Sequence, residues 1–261
     1  MSITFSKYQG AGNDFILIDD TNHNFRETDH ELIRNMCDRN FGIGADGLML
    51  LRNSTNKDFT MVFFNADGYE GTMCGNGGRC LVAFARQCGK IDKDDNIRFD
   101  AVDGEHHAVI KSEGHVSLKM KDVFEIKNKG NGFMVDTGSI HHVEYVDNLA
   151  KMDVYGHGRT IREHKMYEPA GCNVNFVKVE KPNILSIRTY ERGVENETLA
   201  CGTGSVAAAI VHYSRGYVYD KYIIKATGGE LGVRFKNDGI KYYDIWLDGP
   251  ATFVFKGEWP Q

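Results

Sequence analysis

Proline is scarce, at 4 residues in 261, while glycine numbers 29. Rigid linkers are therefore excluded over most of the chain, and many tight backbone positions are expected. A basic excess is also lacking. Lys and Arg total 31 against 36 for Asp and Glu, a formal net charge of −5, which argues against nucleic acid as a partner. No uninterrupted apolar run approaches the roughly 18 residues of a membrane span. The opening Met1-Ser2-Ile3-Thr4-Phe5-Ser6-Lys7 has no apolar core of signal-peptide length. A cytoplasmic location away from membranes is the expectation. The six cysteines (Cys37, Cys74, Cys80, Cys88, Cys172 and Cys201) contain no Cys-x-x-Cys and no zinc-type Cys/His spacing. Reduced thiols are expected rather than a disulfide framework. A Walker lysine-serine pair, a strand-bound Gly-x-Gly-x-x-Gly and a pyridoxal fingerprint are missing too.

What is there reads mostly as short strands rich in Val, Ile, Phe and Tyr, bounded by Gly, Asn and Asp. Examples cover 14–19, 59–64, 106–111, 115–120, 174–179, 184–190, 232–236 and 241–247. Ser112-Glu113-Gly114 and Asn237-Asp238-Gly239 look like hairpin turns. Helices are few. One is expected over 29–39, with an acidic start and apolar Leu32, Ile33 and Met36.

Two further helices matter more. One follows Cys74 in Cys-Gly-Asn-Gly-Gly-Arg-Cys-Leu-Val-Ala, the other follows Cys201 in Cys-Gly-Thr-Gly-Ser-Val-Ala-Ala-Ala-Ile. Each has a capping-type residue, Asn76 or Thr203, two positions after its cysteine. Each runs through small and apolar residues, so burial all round is expected. Gly89 and Gly216 stand equally far along as C-terminal stops.

The likeness extends upstream. Strand ends at Phe64-Asn65-Ala66-Asp67-Gly68 and Tyr190-Glu191-Arg192-Gly193 precede the two cysteines. Gly12-Asn13 and Gly138-Ser139, then Phe41-Gly42-Ile43-Gly44 and Ala170-Gly171-Cys172-Asn173, follow the same order at nearly matching offsets. The pattern implies an internal duplication, divided in the polar stretch 119–132.

Two like halves can bring two thiols to opposite sides of a cleft. A helix N-terminus favours negative charge, pushing a thiol toward thiolate and offering amides to a carboxylate. Such a pair suits inversion at an amino-acid α-carbon, one thiolate removing a proton and the other thiol returning one to the opposite face. The other four cysteines read as small buried hydrophobes.

Across nearly its whole length the chain resembles the diaminopimelate epimerase family. The resemblance rests on Gly10-Ala11-Gly12-Asn13-Asp14-Phe15, Gly42-Ile43-Gly44-Ala45-Asp46-Gly47, Phe64-Asn65-Ala66-Asp67-Gly68, Met73-Cys74-Gly75-Asn76-Gly77, Tyr190-Glu191-Arg192-Gly193 and Ala200-Cys201-Gly202-Thr203-Gly204-Ser205. It implies an α+β fold of two pseudo-two-fold-related lobes, each a curved, mainly antiparallel sheet wrapped around a central helix, with the active site between them. One lobe would cover 1–120, with a strand near 250–261 packing back on it, and the other 121–249. It implies interconversion of LL- and meso-diaminopimelate with no metal or organic cofactor, and allows a homodimer. By motif match it makes Cys74 and Cys201 the catalytic thiols, with His141 beside Cys74 and Glu191 beside Cys201. Asn13, Asn65, Asn173, Glu191 and Arg192 would contact substrate, and the amides of Gly75, Asn76, Gly202 and Thr203 would hold its carboxylate. One segment departs from the family. Ser139-Ile140-His141 stands where many members carry Asn-Pro-His, and Ser139, itself a substrate-binding candidate, reaches less far than Asn. Other readings are an isomerase of proline or hydroxyproline with the same chemistry, a thiol redox protein, and a binder of a small zwitterion.

Overall fold

The computed structural model describes residues 2–260. The chain divides into two compact units. The first runs up to Leu118 and takes back the segment from Gly249 onward; the second is Lys119–Asp248.

The first unit opens with β1 (Ser2–Gly10), β2 (Asn13–Asp19) and α1 (His30–Cys37). It continues with β3 (Gly47–Arg52), β4 (Phe59–Asn65), α2 (Gly75–Gln87), β5 (Ile97–Ala101), β6 (Gly104–Ser112) and β7 (His115–Lys119). Helix α1 begins where expected because the Asp29 side chain accepts a hydrogen bond from the Leu32 amide, 3.0 Å. It stops at Cys37, short of Arg39, whose guanidinium turns to Asp14 and Asp46 at 2.7 Å each. Parallel pairs β2–β3 and β4–β5 are bridged by α1 and α2; the remaining neighbours, β1–β2, β3–β4, β5–β6 and β6–β7, are antiparallel. The last strand of the chain (Thr252–Pro260) pairs antiparallel with β1 from Ser2↔Pro260 to Gln9↔Thr252. Helix α2 lies against β1, β2, β3, β4 and β6, with Cys80, Leu81, Val82 and Ala85 fully enclosed.

The second unit repeats that order. It comprises β8 (Ile126–Lys129), β9 (Gly132–Asp136), β10 (Ile140–Tyr145), α3 (Val154–Arg162), β11 (Asn173–Lys181), β12 (Ile184–Glu191), β13 (Asn196–Thr198), α4 (Gly202–Ser214), β14 (Tyr222–Ala226), β15 (Gly229–Asn237) and β16 (Tyr242–Pro250). The strand Thr252–Pro260 is then β17. Again two parallel pairs, β10–β11 and β12–β14, are bridged by helices, here α3 and α4, while β9–β10, β11–β12, β14–β15 and β15–β16 are antiparallel. Helix α4 is enclosed by β9, β10, β11, β12, β14 and β15, and every residue from Val206 to Val211 is fully buried. That burial follows from its composition: Val-Ala-Ala-Ala-Ile-Val has no polar face to turn outward. The fold is α+β, with each long helix wrapped by strands of its own unit, paired in both parallel and antiparallel fashion.

Candidate active site

Both Cys-Gly-x-Gly segments start helices, with one correction. The N-cap residues are Cys74 and Cys201 themselves, not Asn76 and Thr203. Each cysteine keeps an extended backbone (φ −105° and −119°), and the polar residues fall inside the first turn. The first helical bonds run from the Gly78 amide to the Cys74 carbonyl, 2.7 Å, and from the Ser205 amide to the Cys201 carbonyl, 2.9 Å. The amides of Gly75, Asn76, Gly202 and Thr203 precede those bonds and point along the helix start, where the dipole is positive.

In the first unit, Asn13 opens β2 and reaches Cys74. Its Oδ1 accepts from Asn76 Nδ2 at 3.3 Å and lies 3.6 Å from Cys74 Sγ, which donates to it. Its amide nitrogen donates to the Asp46 carboxylate. Asn76 is held in turn by Arg79, a fully buried guanidinium that donates to Asn76 Oδ1 at 2.9 Å and to the Gly75 carbonyl at 3.3 Å. Asp46 belongs to a charged cluster with Arg39 and Asp14; burial raises the Asp14 carboxyl, but hydrogen bonds from Arg39 and Lys7 win and hold it below the usual range. Asn65 ends β4 in a turn whose Asp67 side chain accepts from the Tyr69 amide, 2.9 Å. Asp67 thus shapes the turn that carries Asn65.

In the second unit, Ser139, His141, Asn173, Thr203 and Cys201 form one connected group. His141 is fully buried on β10. Its Nε2 lies 3.0 Å from both Ser139 Oγ and Thr203 Oγ1, and Thr203 Oγ1 lies 3.5 Å from Cys201 Sγ. Asn173 opens β11, donates to Ser139 Oγ at 3.1 Å and accepts from the Arg192 amide at 2.9 Å. Arg192 also donates to the Ala170 carbonyl, 3.2 Å, and Glu191 ends β12 accepting from Thr198 Oγ1, 2.9 Å. Burial, reinforced by the positive charge of Arg192, pushes His141 down to about 3 against the opposing pull of the Asn175 hydrogen bond. It is a neutral ring at physiological pH, so it serves as a fixed donor and acceptor.

Residues of these networks with no role assigned from sequence include Asp46, Arg79 and Asn175. Asn175 is fully buried, donates to His141 Nδ1 at 3.0 Å and to the His142 carbonyl at 2.9 Å, and accepts from Thr189 at 3.0 Å. Its signal was present as a second Asn two places after Asn173 in an apolar strand, hence on the same face. Arg79 was legible only as a charge inside an otherwise small and apolar helix. Among the described residues, no group of three or more His, Cys, Asp or Glu side chains is arranged to hold a metal ion. No helix among them is long and apolar enough to cross a membrane.

The diaminopimelate epimerase family model matches residues 5–124 and 133–254. A diaminopimelate epimerase of Flavobacterium psychrophilum is 49% identical over 251 residues, covering 96% of this chain and 97% of the relative. That of Chlorobaculum tepidum is 45% identical, covering 95% and 98%. Among solved structures, a phenazine biosynthesis protein of the PhzF family from Bacillus anthracis superposes with a TM-score of 0.78 at 14% identity, covering the whole of both chains. A hydroxyproline epimerase from Agrobacterium vitis reaches 0.71 at 13% identity, covering 98% of this chain and 90% of that one. At such identities these two structures establish the two-lobe α+β fold alone, whereas the near full-length sequence matches establish kinship: the chain belongs to the diaminopimelate epimerase family.

Proposed function

We propose that this protein is an isomerase that interconverts LL- and meso-diaminopimelate, for lysine and cell-wall precursor synthesis, by moving a proton at one α-carbon with Cys74 and Cys201. The observation that carries the reading is the matched pair of helix starts, each capped by a cysteine and followed by amides ahead of the first helical bond. One sulfur, as thiolate, takes the α-hydrogen, and the electron pair of the broken C–H bond passes into the substrate carboxylate. The other sulfur, as thiol, gives its proton to the opposite face of the carbon and becomes the thiolate. Atoms and charge balance within one turnover, and the two sulfurs exchange protonation states.

The developing charge on the carboxylate is the costly part, since an unactivated α-hydrogen is weakly acidic. The amides of Gly75, Asn76, Gly202 and Thr203 are donors fixed before the reaction begins, so they stabilise that charge without reorganising. Asn13, Asn65, Ser139, Asn173, Glu191 and Arg192 are the candidates for holding the rest of the substrate. His141 and Glu191 steer the thiol protons. The sequence kinship, at 49% and 45% identity, favours diaminopimelate over proline or hydroxyproline as substrate.

The test is incubation of the purified protein with LL-diaminopimelate in heavy water without added cofactor. Deuterium should enter the α-carbon as meso product forms, and Cys74→Ala and Cys201→Ala should each abolish inversion. Full inversion by either variant removes the two-thiol mechanism.

A further inference from the structure

Asn13 opens β2 directly after a turn in which Ala11 and Gly12 take φ of +54° and +86°. Its half-buried side chain is bonded at both ends. One end faces the Asp46 carboxylate, which can only accept, so that end is the NH2. The other end, the oxygen, accepts from Asn76 Nδ2 at 3.3 Å. Asn76 in turn gives its oxygen to Arg79 at 2.9 Å, and a guanidinium can only donate. The four side chains make a polar chain with one sense, from the Arg79 cation through Asn76 and Asn13 to the Asp46 anion. Turning Asn13 over would set its oxygen against the carboxylate and its NH2 against that of Asn76. Turning both amides would set the Asn76 NH2 against Arg79 as well. The opposite charges at the two ends therefore fix which face Asn13 shows the α2 start: an oxygen, which accepts from a donor and repels a carboxylate.

Asp46 is itself held in register with β2. Its amide donates to the Asp14 carbonyl at 2.9 Å, and the Asp14 amide donates back to Asp46 Oδ2 at 3.2 Å, the same oxygen that takes Asn13. Oδ1 accepts from Arg39 at 2.7 Å. The Arg39 bond lies on the outer side, with the guanidinium 57% exposed, and Arg39 keeps Asp14 at 2.7 Å in any case. The two oxygens thus have separate partners: Oδ2 serves Asn13 and the start of β2, and Oδ1 serves an exposed ion pair.

We propose that Asp46 is a positioning residue for the reaction, acting through Asn13. Its Oδ2 holds the Asn13 amide with the oxygen turned toward the α2 start, so that Asn13 meets the substrate as an acceptor. The carboxylate's negative charge and its bond to Arg39 are incidental to that task; an oxygen at the Oδ2 position is what it requires. The catalytic meaning rests on the proposed epimerase reading, in which Asn13 touches substrate, but the orientation of Asn13 does not.

Kinetics and side-chain amide NMR on the full chain test this together. Asp46→Ala removes the acceptor and should lower kcat/KM for diaminopimelate about tenfold. Asp46→Asn should restore it, because its amide oxygen can still accept from Asn13 while its NH2 falls on the side of the exposed Arg39. In an Asn13→Ala background, Asp46→Ala should bring no further loss, as expected of a residue that acts through Asn13. In the substrate-free wild type, one Asn13 side-chain amide proton, assigned by its disappearance in Asn13→Ser, should lie downfield of its partner and respond weakly to temperature, as a carboxylate-bonded N–H does. Asp46→Ala should erase that signature and Asp46→Asn should keep it. Asp46→Asn as poor as Asp46→Ala would assign the effect to the Arg39 ion pair, and additive losses with Asn13→Ala would assign it to the fold at large. Either overturns the proposal, as does a wild-type Asn13 amide whose two protons both behave as solvent-exposed. A protein inert toward diaminopimelate that still shows the Asn13 signature would lose the proposed activity and keep this orientation.

Discussion

Asn175 shows how little room the second site leaves. A Cβ added at Gly204 would lie 2.2 Å from Asn175 Oδ1, an atom that cannot retreat without releasing His141 and His142. Gly204→Ala is therefore expected to lower stability by about 1–3 kcal/mol and to reduce kcat. Urea unfolding and initial rates check this, and a variant with wild-type values on both counts contradicts the packing described. The cysteines divide just as sharply. Burial pushes Cys37, Cys80 and Cys172 up to about 12 and Cys88 to about 11. At pH 8 these four stay thiols, so a thiol reagent should mark Cys74 and Cys201 in the native protein and the others only after unfolding. Native labelling of Cys80 would count against it. At this scale the candidate residues were legible as motifs, because Cys-Gly-x-Gly and Tyr-Glu-Arg-Gly place chemistry beside one another in sequence. The supporting residues were not. Asp46 and Arg79 act through contacts that join separate elements of the first unit, Arg79 with Pro250 among them at 3.4 Å, and such pairings leave no local pattern.

Helices α2 and α4 carry their chemistry at one end and their stop signal at the other. Gly89 and Gly216 have φ of +70° and +94°, and a Cβ built on either meets nothing within 4 Å. The cost of Gly89→Ala or Gly216→Ala is then backbone strain alone, about 1–2 kcal/mol. The expected outcome is a lower unfolding free energy with kcat unchanged; a fall in kcat at full folding would mean the far end of the helix reaches the thiol. These stops were readable in advance, as were the two hairpin turns, because Gly in the left-handed region is a local requirement. Helix α3 was not. It carries Gly156 and Gly158 within nine residues, a composition that argues for a loop. Its cap, Asp153 to the Gly156 amide at 2.9 Å, and the close seat of Tyr190 over Gly158 are what hold it. Tertiary packing there overrides propensity.

Over the whole molecule, ionisable groups buried in neutral form set how stability depends on pH. His141, pushed to about 3, and His142 and His212, both lowered by burial, lie in the second unit. The unfolded chain takes up these protons near pH 6.5 while the folded one refuses them. Their contribution is complete above that pH and drains away as pH falls toward the folded values. The buried cysteines act in the opposite sense: raised in the fold, they contribute fully below their ordinary value and less as pH climbs past it. Thermal midpoints should therefore peak near neutrality and drop on both sides; a flat profile between about pH 8 and 5 would contradict the acid limb. The pairing of β1 with β17 carries a different consequence. Every residue of the second unit leaves the ribosome before β17 does. The first half must wait for a strand translated after the whole of the second half, and the second half is free to finish ahead of it.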